Sequence, residues 1–414
     1  MKLFALMFTL VISVNSYSEV CTNTYTPQAL YKEGIKKNIH LLLKDMEIQA
    51  IDGLIEDARK IINPELEHFT TAGNQFGDRN TTSESRIWFN LQLGNKRNKR
   101  GQVAMAEKEF SQAELKQLEL QFKKEIFLGI LRYKQISREL GFVINLYEMV
   151  EKLSLRYKKV GYLTPEQEVE AGTLNISRKE LEFRQASLEN ESLLIRRFFQ
   201  KMINEQCDVN VALNESLPHT SWPDLEHFTY EPDKSINFKM DQILIKKSQF
   251  VFDRENAQKY PDLKVGPVWQ LNKLGNREFN IFGVGFILPL PFERNQGLRS
   301  HAQMNLERAK RTEEFNKTQR EKEFIFRMES YQRLRTKLLA ENDMEAYSAT
   351  TVKYNRLFKR GLLSTGSFLN FKRELLNLAV KVHEVETDLA THLMELYRLN
   401  DKSTDGFVAK VLRL

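Results

Sequence analysis

The feature that most constrains this chain of 414 residues is an internal duplication. Three short phrases recur in the same order, and their anchor residues are Pro64 and Pro261, Arg97 and Arg294, and Gly161 and Gly361. The first two pairs lie 197 residues apart and the third pair lies 200 residues apart. Two equal offsets and a third that differs by a small insertion predict a tandem repeat.

The duplication predicts how the chain is organised. Residues 1–18 read as a secretory signal, because Lys2 precedes a largely apolar stretch of twelve residues (3–14), and the small residues Ser16 and Ser18 follow it. The apolar stretch is too short for a membrane-spanning helix. The predicted segments are a signal peptide (1–18), a first repeat (19–206), a linker (207–234), a second repeat (235–400) and a C-terminal tail (401–414).

Each repeat contains two strand-like stretches after its proline. In the first repeat they cover residues 66–76 and 85–93, with Gly, Asn, Asp and Thr between them. In the second repeat, bulky apolar residues alternate with small or polar ones in 263–272 and 281–290. This pattern fits strands that face lipid on one side, and about 9–11 residues cross a bilayer at a tilt. A half-buried strand in a soluble sheet is the alternative reading.

Two tryptophans lie in these stretches. Trp88 is in the second strand of the first repeat, and Trp269 is in the first strand of the second repeat. Aromatic rings concentrate at the two faces of a bilayer, so both residues are predicted membrane-interface aromatics. Packing against a neighbouring strand is the competing interpretation.

A very long helix follows each strand pair. Apolar residues between Leu115 and Tyr157 recur with a mean spacing of 3.5, the period of a coiled coil. Residues 102–158 contain no proline, and a helix of that length spans about 85 Å. Gly161 and Gly361 are predicted left-handed caps that end the outgoing helices, and Thr164 is the predicted N-cap of the return helix. Each repeat is therefore a strand pair on a long helical hairpin.

Composition and motifs argue against several classes of protein. The formal net charge is only +7, and the basic residues are interleaved with glutamates, so nucleic acid is a poor candidate partner. The sequence has no HExxH pair, no glycine-rich phosphate loop and no GxSxG. We therefore predict no enzymatic activity, no cofactor and no metal site, and we interpret His383 with Glu384 and Glu386 as charged helix surface.

Two phrases carry a resemblance to a known family. Residues 93–100 (LGNKRNKR) and 288–297 (LPLPFERNQG) resemble motifs of the TolC-type outer membrane efflux family, in the branch of cobalt-zinc-cadmium type heavy-metal efflux channels. The resemblance covers essentially the whole mature chain, although Asn95 replaces the second glycine of the first motif. It implies a mainly α fold with β strands. Long antiparallel coiled-coil hairpins would join four transmembrane strands per protomer, and a homotrimer would share one twelve-stranded barrel.

The resemblance also implies a function and partners. The protein would be a passive exit duct for small molecules or metal cations, coupled to a periplasmic adaptor (membrane fusion) protein and an inner-membrane pump such as an RND-type transporter. The adaptor would dock on the two hairpin tips, whose residues are Lys159, Val160, Gly161, Tyr162, Leu163, Thr164, Arg360, Gly361, Leu362, Leu363 and Ser364. A plain helix-capping turn is the simpler reading of both tips.

The two cysteines gain a geometric argument from the same picture. An exported chain with an even number of cysteines favours a disulfide. If the shorter helical segments stack end to end beside the long helix, Cys21 precedes one segment and Cys207 follows the other. We therefore predict a disulfide between Cys21 and Cys207.

Two other functions stay open at the level of the sequence. An exit duct of a type I protein secretion system would have the same architecture, and the transported substrate is not encoded in any motif. A periplasmic coiled-coil scaffold or adaptor would place the strands in a soluble domain. Fractionation of the cell envelope separates the second alternative from a membrane channel.

Overall fold

A computed structural model describes residues 21–75, 78–212, 222–274, 277–289, 295–340 and 344–401. The predicted signal peptide, residues 290–294 of the second family phrase, and the tail from residue 402 lie outside the described residues. The chain forms two compact units. The first consists of Met1–Leu42, Glu119–Thr229 and Phe324–Leu414, and the second of Leu43–Leu118 and Tyr230–Glu323.

The described part of the chain is mainly helical. Its helices are α1 (Pro27–Lys36), α2 (Ile39–Arg59), α3 (Lys96–Lys158), α4 (Pro165–Met202), α5 (Ile236–Ala257), α6 (Gln296–Ala340), α7 (Met344–Lys359) and α8 (Thr365–Leu399). Its strands are β1 (Thr22–Tyr25), β2 (Glu65–Gln75), β3 (Asp78–Leu91), β4 (Asp208–Val211), β5 (Leu263–Leu274) and β6 (Arg277–Ile287). None of the helices in these ranges has the length and apolar character needed to cross a bilayer.

The order of elements recurs along the chain. A helix, two strands, a long helix and a return helix appear as α2-β2-β3-α3-α4 and again as α5-β5-β6 followed by α6 to α8. At 63 residues, α3 is about 95 Å long. It begins six residues before the predicted start at Gln102. The boundaries of the two repeats stay a prediction.

The residues before Pro64 have helical spacing without a breaker, which favours one helix over residues 26–62, but the structure has two. These helices are α1 and α2, and Asn38 lies at the break between them. The Asn38 Oδ1 atom accepts a hydrogen bond from the His40 backbone N–H at 2.9 Å, so this side chain caps a new helix. An asparagine in a run of helix-forming residues is a weak signal, since the same residue is tolerated inside a helix.

The first unit has a core built from the long helices. Leu146 and Val150 of α3 pack with Leu174 of α4 and Leu369 of α8. The predicted coiled-coil stripe is correct for most of its length, but Ile144 is exposed and Val143 is buried instead. A strict 3.5-residue repeat drifts around a straight helix, which explains a shift of one position.

Two described parts of the segment predicted as a linker, residues 208–211 and 222–229, belong to the first unit. Residues 208–211 form β4, which pairs in parallel with β1. Trp222 and Leu225 are buried, and the Tyr331 hydroxyl donates a 2.8 Å hydrogen bond to the Pro223 carbonyl oxygen. These short strands and the packed tryptophan were not predicted from the sequence, because four residues are too few to show a period.

Candidate functional site: a two-faced sheet and two hairpin tips

Four strands of the second unit form one antiparallel sheet in the order β2-β3-β5-β6. In an antiparallel pair, residues directly opposite each other point to the same face. Leu66 lies opposite Ile87, Phe89 opposite Val265, and Val265 opposite Phe286. The register therefore assigns every strand residue to one of two faces.

The first face, here called the apolar face, carries most of the large exposed hydrophobic side chains. They are Leu66, Ile87, Phe89, Leu91, Trp269, Phe282, Val284 and Phe286. Val284 is 78% exposed on the outermost strand. The face is not wholly apolar, since His68 and Ser85 share a 2.9 Å hydrogen bond on it. An exposed apolar area of this extent on a sheet indicates a surface that another protein or a membrane covers.

The opposite face, here called the polar face, carries most of the charged residues of the sheet, although Lys273 and Glu278 pair at 2.6 Å on the apolar face. Lys264 pairs with Glu65 at 2.6 Å, and the Arg86 guanidinium pairs with Glu84 at 2.6 Å. Its exposed apolar members are Phe69, Phe279, Ile281 and Ile287. Alternation of apolar and polar faces was predicted from the sequence, and the register shows that the four strands agree on one apolar side.

Trp88 lies on the polar face. It is only 4% exposed, and its indole N–H donates a 2.8 Å hydrogen bond to Glu67. A Cβ atom added at Gly285 would come within 2.8 Å of the Trp88 ring, so this glycine makes room for the ring on β6. This position favours the competing interpretation, packing against neighbouring strands, over a membrane-interface role for Trp88.

Trp269 lies on the apolar face. It is partly exposed and stacks on Phe282 with ring centroids 6.3 Å apart. Its indole N–H donates to the Asn280 side-chain oxygen at 3.3 Å. A ring with an apolar body and a satisfied polar atom suits a bilayer interface, which stays a prediction for this residue.

The junction between β3 and α3 contains the departure from the family motif. Asn95 has a backbone φ of 58°, in the left-handed region where glycine and asparagine are the usual residues. Asn295, just before α6, has a φ of 62°. Asn95 therefore adopts a left-handed conformation that a glycine at this position would also permit. Next to it, the buried Lys96 ammonium pairs with Asp262 at 2.7 Å.

The two hairpin tips lie in the first unit and expose apolar and basic side chains. Tyr162 is 97% exposed, and Val160 and Leu362 are also exposed. Lys159 and Arg360 are exposed beside them, whereas Leu163 and Leu363 are partly covered. All the predicted tip residues are thus accessible to different degrees, and docking of a partner stays a prediction.

The turns at the tips differ in how the outgoing helix ends. Gly361 has a φ of 70°, as predicted for a left-handed cap. Gly161 is not among the residues with positive φ, so its predicted left-handed cap is wrong. At this tip the Lys159 and Val160 N–H groups instead bond the carbonyls three residues earlier, a tightened last turn that needs no glycine.

The start of the return helix in the first tip is as predicted. The Thr164 hydroxyl accepts a hydrogen bond from the Gln167 backbone N–H, and the Gln167 side chain accepts one from the Thr164 N–H. This reciprocal pair is a capping box. Behind it, the Tyr157 hydroxyl donates to Glu170 of α4, and this hydrogen bond raises the pKa of Tyr157. The tip is therefore held by contacts on both helices.

Cys21 and Cys207, the predicted pair, are joined by a disulfide with Cα atoms 4.9 Å apart. The bond connects residues 186 positions apart, next to the parallel pairing of β1 with β4. A cross-link over so long a loop restricts the unfolded chain strongly.

A buried polar network in the first unit was missed by the sequence reading. His383 and Glu386 are buried, not on the charged helix surface that we predicted, and only Glu384 is exposed. His383 Nδ1 lies 2.8 Å from Glu139, which also accepts from Arg132 at 3.0 Å. Burial alone would raise the pKa of Glu139, but these hydrogen bonds and charges lower it. The predicted surface position was wrong because the partners lie about 250 residues away in sequence and leave no local signal.

Groups of three or more metal-binding side chains with suitable geometry are absent from the described ranges. The structure thus offers no built metal centre there, and the sites of interest are surfaces: the two faces of the sheet and the two tips.

The fold matches solved outer-membrane proteins along nearly the whole chain. The MtrE outer membrane channel of Neisseria gonorrhoeae matches with a TM-score of 0.71 and 11% identity over 91% of this chain and 89% of that one. The CmeC outer membrane channel of Campylobacter jejuni matches with a TM-score of 0.68 and 11% identity, covering 94% and 89%. The outer membrane protein VceC of Vibrio cholerae matches with a TM-score of 0.67 and 13% identity, covering 90% and 96%.

The sequence itself matches no protein-family profile and no curated protein. At this level of identity the structural similarity defines the fold. The chain has the mainly helical TolC-like fold, with coiled-coil helices and a small sheet, that was predicted. The neighbours are outer-membrane channels and none of the three is described as an enzyme. The heavy-metal branch suggested by the two sequence phrases is not singled out among them.

Proposed function

We propose that this protein is the outer-membrane exit duct of a multi-component efflux pump. The observation that carries the proposal is the sheet, whose four strands agree on one apolar face and one polar face. The apolar face would contact lipid and the polar face would line a water-filled pore. The shared fold with outer-membrane channels supports the same assignment.

The sheet requires further copies to function in a membrane. Of the described strands, β2 and β6 are the ends of the sheet order. An open strand edge in lipid leaves backbone N–H and C=O groups unpaired, which costs several kcal/mol per group. Four strands are too few to close on themselves, so a homotrimer with one shared twelve-stranded barrel removes every edge.

The helical hairpins would extend into the periplasm and end at the tips. The exposed side chains of Tyr162 and Leu362, beside Lys159 and Arg360, offer an apolar centre with a basic rim. Such a surface suits the helical tip of a periplasmic adaptor, which in turn would connect the duct to an inner-membrane pump such as an RND-type transporter. Export would begin with the signal peptide predicted at residues 1–18.

The transported cargo is proposed as a small molecule or a metal cation. The polar face combines carboxylates with Arg86 and Lys264, which gives a wetted wall and no tight binding site. A wall of this kind conducts solutes without selecting one strongly. The duct would be passive, and the pump would supply both the energy and the choice of substrate.

Fractionation of the cell envelope tests the proposal. We expect the protein in the outer membrane, resistant to extraction by carbonate, and trimeric in mild detergent by native mass measurement. The Cys21–Cys207 disulfide gives an internal check, since two free thiols in the purified protein would indicate that it had not been exported and oxidised. Recovery as a soluble periplasmic monomer would refute the duct and favour a scaffold.

A deletion strain tests the cargo. Loss of the gene should increase sensitivity to drugs or to divalent metals, and the panel that responds names the substrate class. A defect confined to secretion of a protein would instead favour the exit duct of a type I secretion system.

A further inference from the structure

Four helical segments of the second unit lie side by side in the order α2, α3, α5, α6. The ion pairs that join neighbours are Asp52 with Lys108 (α2 to α3), Glu109 with Lys246 (α3 to α5) and Asp241 with Arg320 (α5 to α6). This order repeats the strand order β2-β3-β5-β6. Helices α2 and α6 are therefore the edges of the helical layer, just as β2 and β6 are the edges of the sheet.

The α2 edge has an apolar stripe on the side away from α3. Ile48 and Ile51 are buried against the layer, and Met46, on the opposite side of the helix, is 64% exposed. Ala50 and Gly53 continue the exposed stripe, and a Cβ atom added at Gly53 would meet nothing within 4 Å. The stripe, here called the α2 stripe, also includes the exposed Leu43 and Leu54 and is flanked by the acidic residues Asp45 and Glu47.

The α6 edge has a matching stripe on the side away from α5. Ala302, Leu306 and Ala309 are buried against the layer. On the opposite side Met304 is 67% exposed, and Arg308, Arg311 and the exposed Phe315 follow at helical spacing. This α6 stripe therefore combines apolar side chains with two arginines, where the α2 stripe combines apolar side chains with flanking carboxylates.

We infer that the α6 stripe of one copy packs on the α2 stripe of the next copy, with the helices antiparallel and Met304 level with Ala50. This interface rests on the proposed function, because it is the surface through which copies of the protein would join in the trimer. Arginines and carboxylates of opposite charge meet at the rim, and the methionines and Phe315 fill the centre. Three such contacts close the helical layer in the same order as the sheet.

The register comes from a contact within the chain. Helices α3 and α5 pack antiparallel, with Glu107 paired to Lys247 and Lys99 paired to Asp253. The first repeat supplies α2 and α3, and the second supplies α5 and α6. With the sequence offset of 197, Glu107 of the first repeat is equivalent to Met304 of the second, and Ala50 is equivalent to Lys247. The Glu107–Lys247 ion pair within the chain is therefore equivalent to a contact of Met304 with Ala50 between copies.

Cysteine cross-linking tests this register. The double variant Met304→Cys with Ala50→Cys is treated, in isolated membranes, with a short flexible bismaleimide. The reagent is chosen to bridge about the distance between the Cβ atoms of an ion-paired Glu and Lys, such as Glu107 and Lys247. The native cysteines are joined to each other and do not react with maleimide. We expect most chains to shift to covalent dimers and trimers, whereas each single variant stays monomeric in the denaturing gel.

Two further variants make the result decisive. Arg308→Cys with Met46→Cys moves one helical turn along both stripes in the same antiparallel register and should cross-link as well. Phe315→Cys with Ala50→Cys uses the same two stripes but lies 11 residues, about 16 Å, out of register and should stay monomeric. Cross-linking of the third pair to the extent of the first would overturn the register.

The native mass of each variant in mild detergent, measured before cross-linking, separates this inference from the proposed function. A membrane-resident trimer in which neither in-register pair cross-links would overturn the α2–α6 interface and leave the duct intact. A soluble monomer would overturn both. Retention of the wild-type trimer mass by a variant shows that its substitutions have not disrupted folding.

Discussion

A charge placed on the apolar face of the sheet should destabilise the protein far more than the same charge on the polar face. Val284 of β6 is the clearest site, because its side chain is 78% exposed on the apolar face. Gln270 of β5 is the matched control, since it lies on the polar face directly opposite Glu84. The paired changes are Val284→Arg and Gln270→Arg.

The magnitude follows from the position of Val284 in its strand. The 11 residues of β6 extend about 37 Å, or about 29 Å in height at a tilt near 40°, enough to cross an apolar band about 25 Å tall. Val284 lies two residues from the strand centre, about 5 Å in height from the middle of the band. An arginine there should cost about 2–4 kcal/mol per protomer, or about 6–12 kcal/mol per trimer.

Denaturant unfolding of the trimer in phospholipid vesicles measures this cost. Val284→Arg should lower the free energy of unfolding by the amount above and reduce recovery in the outer membrane. Gln270→Arg should change it by less than about 1 kcal/mol, because its new charge meets water and Glu84. Equal losses in the two variants would refute the assignment of the faces, and so would a negligible loss in Val284→Arg.

Three further predictions concern the helical hairpins. The buried Lys134 ammonium has no hydrogen-bond partner, and burial, followed by the nearby Arg138, lowers its pKa to about 8. The destabilisation by the buried charge is complete below that pH and disappears toward pH 10.5. Lys134→Met should therefore raise the free energy of unfolding, measured by denaturant titration, by about 1–3 kcal/mol at pH 7 and should not change it above pH 10.5. The pKa of Glu139 is lowered, so the stabilisation by its carboxylate is present above the ordinary pKa of 4.5 and is lost as the pH falls below it. Glu139→Gln should lower the free energy of unfolding by about 1–3 kcal/mol at pH 7 and should weaken its dependence on pH in the acid range. An unchanged pH dependence would contradict the network. Gly361→Ala should lower the stability of its tip by about 1–2 kcal/mol, because the alanine must adopt a left-handed conformation, whereas Gly161→Ala should lower it by less than about 0.5 kcal/mol. Hydrogen exchange at the two tips measures both effects, and equal losses of protection would contradict the difference in backbone conformation.

The sequence predicted the large-scale plan because the plan is written in local periodicities. Alternation with a period of two identified the strands, and spacing near 3.5 identified the long coiled-coil helices. The Thr164 cap was also predictable, since a capping box involves residues only three positions apart. The TolC-like fold emerged from these signals together with two short phrases.

The sequence could not predict features that depend on distant partners. Trp88 was a predicted interface residue with strand packing as the alternative, and only the register shows that it lies on the polar face, where it contacts Glu67 and Gly285. His383 was read as surface, yet it meets Glu139 from another helix. The difference between Gly161 and Gly361 is equally invisible, because a glycine permits the left-handed conformation without requiring it.

The amino-acid sequence by itself determined the repeat, the alternation of faces within each strand and the presence of long helices. Tertiary structure alone decided which strand edges stay open, which side of each edge helix is left uncovered and which charged residues are buried. The physical reason is range. Backbone propensity and periodicity act between residues a few positions apart, whereas burial and strand register are set by neighbours that the chain brings together from nearly two hundred residues away.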